Sequence, residues 1–301
     1  MKLQVVRAGS LPILMHLIFS QNEEICKQAI WTLGNIIGDS AELRDFAINQ
    51  GIIHPIICFS RRKMPLKTKR FLVWTILNMT RHVDQPLKES DAAQIVPVLN
   101  DLITFNTDLE ILQDIIWAFD FLLKNPKNIQ IIVKSKVISQ IIREMLSVSL
   151  EIQRRSLVVV TKIVLDCIES LSFNDLSKIL TFMPFLLKTP NNWIQMDSLF
   201  LLSSIASGSE LRCASILESG ILEKVVELLT FGNADVQEEA IWLINHIALC
   251  GNYAQIKVIA NGHILIPLCN LLKLKTKSDV LMVRTIVVIY TMNFLSFSFN
   301  S

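Results

Sequence analysis

Apolar residues recur three and four positions apart along most of the chain, which predicts helices with one buried face. In the stretch 21–38, Ile25, Ala29 and Leu33 follow this spacing, and Gly38 with Asp39 supplies a stop signal. Aromatic and β-branched residues do not alternate strictly over long runs, so strands are not indicated. The fold class predicted is all-α. The long helices predicted are 21–38, 69–80, 109–123, 152–168, 193–206, 234–248 and 279–295, with shorter helices such as 95–105 between them.

Two landmarks show that the long helices belong to a repeat. The first is tryptophan: Trp31, Trp74 and Trp117 are each 43 residues apart, and 125 residues, about three further steps of 42, separate Trp117 from Trp242. At the two intermediate steps of this period, between Trp117 and Trp242, the sequence has Val158 and Phe200 in place of tryptophan. The second landmark is a short turn-like stretch at 8–12, 50–55, 93–97 and 261–267.

Landmarks that share one period predict about seven repeats of about 42 residues, a length typical of stacked helical solenoids. Each repeat is expected to hold one or two short helices, a turn and one long helix. We therefore expect one solenoid domain over 1–301. Its repeats are predicted at about 1–49, 50–92, 93–135, 136–175, 176–218, 219–260 and 261–301.

Composition limits the function classes. A net charge of +2 argues against a strongly basic nucleic-acid-binding protein. Six cysteines without a CxxC pair are expected to be reduced thiols, with no metal. The 17 uncharged residues of 285–301 are expected to form a buried last helix and not a membrane span. No histidine stands in a recognisable catalytic arrangement and no glycine-rich phosphate loop is present, so we expect neither an enzyme nor a cofactor.

The candidate chemistry is an indole beside an amide. Residues four apart share a helix face, so Trp31 lies with Asn35, and Trp74 with Asn78. A polar companion stands three positions before a tryptophan in three of the long helices, as Gln28, Asp114 and Glu239. A lone tryptophan in an apolar helix is usually a core residue, but the period shared with asparagine favours a functional interpretation. Indoles can pack on the methylene stems of Lys or Arg and attract their charge, which suits an extended basic peptide.

Three segments resemble the importin-alpha nuclear import adaptors, whose armadillo repeats read nuclear localisation signals. They are QAIWTLGNIIGDS at 28–40 with Arg44 and Asp45 beyond it, WTILNMTR at 74–81, and DIIWAF at 114–119. The resemblance extends over nearly the whole chain. It implies a right-handed superhelical armadillo solenoid and a major signal-binding groove in which Asp39 receives a lysine ammonium. The groove residues implied are Gln28, Trp31, Asn35, Asp39, Trp74, Asn78, Arg81, Asp114 and Trp117.

The same resemblance implies a degraded minor groove. Of the tryptophans that line this groove in the family, only Trp242 is retained here, and Glu239 and His246 accompany it on the same helix. Lys162 would place a cation where a basic peptide should lie, so a second basic cluster is expected to bind weakly or not at all. Further departures from the family pattern remove hydrogen-bonding groups, with Phe71 at a position that is polar in the family and Phe121 at one that is usually tyrosine.

The partners expected are proteins that bear basic nuclear localisation signals, in the cytoplasm and nucleus, with no nucleic acid and no membrane. An arginine-rich arm of the kind that recruits importin-beta is not recognised before residue 21. The family's final repeat is expected to be missing or reduced to the degenerate stretch 294–299. Recruitment of importin-beta through this chain is therefore not expected. Two alternatives stay open, a non-transporting armadillo scaffold and a decoy that binds cargo without importin-beta.

Overall fold

A computed structural model describes residues 6, 8–261, 263–273 and 282–290, and those residues form helices, turns and loops without a strand. The predicted ends of the last helix and the stretch 294–299 lie outside the described residues. The helices are α1 Ser10–Leu17, α2 Glu23–Ile37, α3 Ala41–Asn49, α4 Ile53–Ser60, α5 Leu66–Thr80, α6 Glu89–Thr104, α7 Leu109–Leu122, α8 Lys127–Lys134, α9 Ile138–Glu144, α10 Leu150–Cys167, α11 Phe173–Lys188, α12 Asn192–Ala206, α13 Glu210–Glu218, α14 Leu222–Phe231, α15 Ala234–Cys250, α16 Tyr253–Asn261 and α17 Leu265–Lys273. Backbone 282–290 is also helical.

The predicted long helices are confirmed as α2, α5, α7, α10, α12 and α15. Five of them begin after a residue whose side-chain oxygen accepts a hydrogen bond from a backbone N–H of the first turn. These N-cap residues are Asn22, Asp108, Ser149, Asn191 and Asn233. Because the first N–H groups of a helix have no partner within it, each cap stabilises the start of its helix by about 1 kcal/mol.

The second sequence landmark corresponds to a left-handed turn between short helices. Among the residues that the structure describes, five have positive φ, at intervals close to one or two repeats: Gly9, Gly51, Lys136, Gly220 and His263. The stretch 93–97 differs, because it lies inside α6, which continues through Pro97. There the landmark marks a continuous helix and not a turn.

The turn at Gly51 provides a test of backbone strain. Its φ is 86°, and a Cβ added there would meet no atom within 4 Å. Gly51→Ala is therefore expected to lower the free energy of unfolding by about 1 kcal/mol through strain alone. Lys136 has the same left-handed conformation, with φ of 62°. Lys136→Gly should not show that loss, and equal losses for both variants in urea unfolding would contradict the assignment.

Polar side chains tie α5 to α2 at regular intervals. Thr75 Oγ1 donates to a carbonyl of α2 at 3.1 Å, Asn78 Nδ2 donates to the next at 3.1 Å, and His82 Nε2 lies 3.1 Å from a third. The three acceptors are the carbonyl oxygens of Ile30, Gly34 and Ile37. These bonds fix the register of the two helices and therefore the positions of Trp31 and Trp74.

Contacts divide the chain into two compact units. The first contains Met1–Arg143 with Val148–Val159, and the second Glu144–Ser147 with Val160–Ser301. The division into seven repeats stays a prediction. Within the described residues no single helix is long and apolar enough to span a membrane, and only the bent pair Tyr253–Asn261 and Leu265–Leu272, at 68°, meets that criterion jointly.

All six cysteines are free thiols. Burial raises the pKa of Cys213 to about 11, so this thiol stays protonated at neutral pH. The residues that the structure describes hold no group of three His, Cys, Asp or Glu side chains suited to a metal ion.

Candidate functional site

An open pocket in the first compact unit brings together three of the predicted site residues. Its volume is about 310 Å³, and helices α2, α5 and α7 line it. Trp31, on α2, is 45% exposed, whereas Trp74 is half-buried. The lining residues are Trp31, Lys67, Arg70, Phe71, Trp74, Glu110 and Asp114. The site thus combines two indoles with carboxylates from the next long helix, and Lys67, Arg70 and Glu110 are members that the sequence interpretation missed.

Trp74 reaches this position because α2 has a glycine opposite it. A Cβ placed on Gly34 would lie 2.5 Å from Cζ3 of Trp74 and 2.7 Å from Oγ1 of Thr75. Contacts this short do not occur in folded proteins, so the ring occupies the space that a side chain at position 34 would need. Gly34 is therefore a positioning residue for Trp74.

The two predicted amides differ in environment. Asn35 is half-buried, and its Nδ2 donates to the Trp31 carbonyl at 3.0 Å. Asn78 is 1% exposed, donates to the Gly34 carbonyl, and accepts a 3.0 Å hydrogen bond from the Arg81 guanidinium. In this structure Asn78 joins helices. A peptide could reach its oxygen only after Arg81 moved.

The remaining polar positions differ in their surroundings, and Gln28 lines a separate pocket with residues of α1 and α2. Gln28 is exposed and donates to Glu24 at 3.0 Å, and Asp39 is exposed at the end of α2. Burial, with a smaller contribution from the charge of Glu110, raises the pKa of Asp114 to about 6. Burial therefore destabilises the ionised form of this carboxyl group, and Lys67 and Arg70 line the same pocket.

Arg70 is the cation nearest the carboxylates of this pocket, and its charge is already compensated. Its guanidinium pairs with Asp108 at 2.7 Å and with Glu110 at 2.6 Å. The hydrogen bond to Arg70 holds the pKa of Asp108 below its usual value. Arg70 is consequently turned toward α7, and no stacking of a cation on Trp31 is observed among the described residues.

Trp117 lies in a different environment. The Arg155 guanidinium of α10 stacks on its ring, with 3.5 Å between the guanidinium carbon and the ring centroid. The indole N–H donates to Glu151 at 3.0 Å, and Arg155 pairs with Asp120 at 2.8 Å. Trp117 is therefore separate from the open pocket. The sequence held a signal for this: Arg155 stands three positions before Val158, where the other long helices carry Gln28, Asp114 and Glu239.

In the second compact unit, Trp242 is enclosed by its own chain. The Arg284 guanidinium lies 4.4 Å from its ring centroid, and His246 stacks on it at 5.6 Å between centroids. His246 Nδ1 lies 2.7 Å from the Ser203 hydroxyl. Burial raises the pKa of Glu239, the third residue predicted here. Glu239, Trp242 and His246 lie on one helix, and the guanidinium of Arg284, from the same chain, lies over the Trp242 ring.

Comparison with known proteins places this geometry in context. The armadillo/beta-catenin-like repeat family matches residues 1–38. "Importin subunit alpha-1b" of Oryza sativa is 28% identical over 272 residues, covering 89% of this chain and 50% of the relative. "Importin subunit alpha-2" of Arabidopsis thaliana is 32% identical over 139 residues, covering 46% of this chain and 26% of the relative. The chain has the fold of an armadillo solenoid and is similar in sequence to importin alpha subunits.

Solved structures agree on the fold of this armadillo solenoid. An engineered protein superposes with a TM-score of 0.76 at 21% identity, covering 96% of this chain and 69% of the other. A designed armadillo repeat protein superposes with a TM-score of 0.57 at 16% identity, covering 94% and 100%. At these identities the likeness concerns the fold alone. The match to the rice relative spans about half of that relative's length.

Proposed function

We propose that this armadillo solenoid binds lysine- and arginine-rich nuclear localisation signals in extended conformation, as an import adaptor present in cytoplasm and nucleus. The observation that carries the proposal is the open pocket in which Trp31 and Trp74 stand beside Asp114. The relatives named importin alpha subunits support it.

The pocket offers complementary chemistry to a basic side chain. An indole face attracts a cation with about 0.5 to 2 kcal/mol and packs against its methylene stem. The Asp114 carboxyl group, poorly hydrated in its surroundings, adds the opposite charge. Gln28 and Asn35 lie on α2, Asp39 follows its end, and these side chains would bind the peptide backbone or a neighbouring ammonium. A few such contacts together reach roughly micromolar affinity, near −8 kcal/mol.

The direct test is a titration with fluorescent peptides. A peptide with a run of lysines should bind, whereas a peptide of the same length with glutamates in place of lysines should not. Equal binding of the two peptides would favour the non-transporting scaffold, which holds partners without selecting a basic signal. A third peptide, with glutamines in place of the lysines, carries no charge at these positions. Any binding that it retains measures recognition of the peptide backbone.

The raised pKa of Asp114 predicts a pH dependence. A ligand ammonium prefers the ionised carboxylate, and with a pKa of about 6 roughly a tenth of the Asp114 side chains are ionised at pH 5. Affinity for a lysine-rich peptide should therefore rise several-fold as pH increases from 5 to 7 and level off above. The pocket also contains the charged side chains of Lys67, Arg70 and Glu110, which line it together with Asp114.

The matched variant for this prediction is Asp114→Asn, which keeps the shape of the side chain and removes its titration. It should bind more weakly at pH 7 and lose the rise between pH 5 and 7. A rise of the same size in the variant would assign the pH dependence to another group.

A further inference from the structure

Two of the indoles that mark the repeat, Trp31 and Trp117, differ in where an arginine from the following long helix lies. Arg70 follows Trp31 by 39 residues, and Arg155 follows Trp117 by 38. Arg70 pairs with Asp108 and Glu110 of the next helix, and Trp31 stays 45% exposed. Arg155 instead lies on the face of Trp117.

The contacts of Arg155 reproduce those that a bound arginine would make. Its guanidinium is 3.5 Å from the Trp117 ring centroid, a distance of direct stacking. One guanidinium nitrogen lies 2.8 Å from the carboxylate of Asp120, and the Asp120 side chain is only 4% exposed. Glu151 accepts the indole N–H and holds the ring in place. An indole face and a carboxylate are thus both satisfied from within the chain.

We propose that Arg155 is an internal occupant that closes Trp117 to ligand cations and so limits the basic-peptide groove to the pocket of Trp31 and Trp74. The proposal rests on the proposed function and refines it, because it predicts which signals are selected. Adjacent packed helices lie about 8–10 Å apart, which an extended peptide spans with about three residues. The chain should then recognise a short cluster of about four basic residues and gain little from a longer one.

The test compares two peptides on wild type and Arg155→Gln, a variant that can still donate a hydrogen bond to Asp120. One peptide carries four consecutive lysines or arginines and the other carries eight. For the longer peptide, Arg155→Gln should bind about threefold to tenfold tighter than wild type, as expected for one additional cation–indole contact. Affinity for the shorter peptide should not change.

Arg154→Gln is the matched control. Arg154 borders the same cavity near Trp117, so its replacement removes one positive charge there while Arg155 remains stacked on the ring. An equal gain in both variants would mean that reduced repulsion is the cause and would overturn the proposal. The double variant Arg155→Gln with Trp117→Ala should lose the gain, and a gain that persists there would overturn it as well.

A measurement that needs no peptide separates this inference from the proposed function. In protein labelled with ¹⁵N-tryptophan, acetyl-arginine amide should shift the indole N–H signal of Trp117 in Arg155→Gln and leave it unchanged in wild type. No shift in a folded Arg155→Gln protein overturns the inference. Failure of wild type to bind either peptide would instead overturn the proposed function, even where the Trp117 signal responds as expected.

Discussion

Replacing Trp31 and Trp74 together by alanine is expected to weaken binding of a lysine-rich peptide about 30-fold or more. The estimate follows from two cation–indole contacts of about 1 kcal/mol each, before any loss of packing on the methylene stems. Both rings border the same open pocket, so both contacts are lost at once. Fluorescence anisotropy or calorimetric titration measures the change.

Trp193→Ala is the control for this experiment. Trp193 is 56% exposed on α12 in the second compact unit, so the same type of substitution is made away from the pocket. Trp31→Ala alone should cost little stability because the ring is substantially exposed, whereas Trp74→Ala removes a ring packed on Gly34. Thermal unfolding should accompany each titration. Unchanged affinity in the folded double variant would remove both indoles from the binding site.

Gly34→Ala is expected to lower both stability and peptide affinity. The added methyl group would lie 2.5 Å from the Trp74 ring and 2.7 Å from Thr75 Oγ1, so the rigid indole must move. Overpacking of this kind costs about 1 to 3 kcal/mol, even though alanine is intrinsically better than glycine within a helix. Displacement of Trp74 should reduce affinity several-fold. Urea unfolding and peptide titration give the two readouts.

A double-mutant cycle identifies the cause of that loss. If the contact with the indole dominates, Gly34→Ala should cost at least about 1 kcal/mol less in a Trp74→Ala background than in wild type. Equal costs in both backgrounds would assign the loss to Thr75 and its hydrogen bond to the Ile30 carbonyl. In that case Gly34 would matter for helix pairing and not for the position of Trp74.

The helices could be predicted from the sequence because they depend on local chemistry. Apolar spacing of three and four places α2, α7, α12 and α15 to within a few residues. Boundaries were less accurate where the signals conflict. Helix α5 already begins at Leu66, directly after Pro65, three residues before the predicted start. Proline fits the start of a helix because it has no N–H to leave unpaired.

Only part of the candidate site followed from the same patterns. The tryptophan and asparagine period marks the helix faces of Trp31, Trp74 and Asn35, because residues four apart share a face in any helix. The period also treats Asn78 as equivalent to Asn35. In the structure Asn78 instead bonds to the carbonyl of Gly34 and is buried, whereas Asn35 stays at the surface.

The sequence by itself determined the all-α architecture and the helix faces on which the indoles lie, since these depend on neighbours within about four positions. The tertiary structure alone decided which indole carries a cation from the chain itself. Arg155 stacks on Trp117 from roughly forty positions away, whereas Arg70 pairs with carboxylates of the next long helix and Trp31 stays exposed. A periodic pattern cannot encode that choice, because the partners meet only when the helices pack.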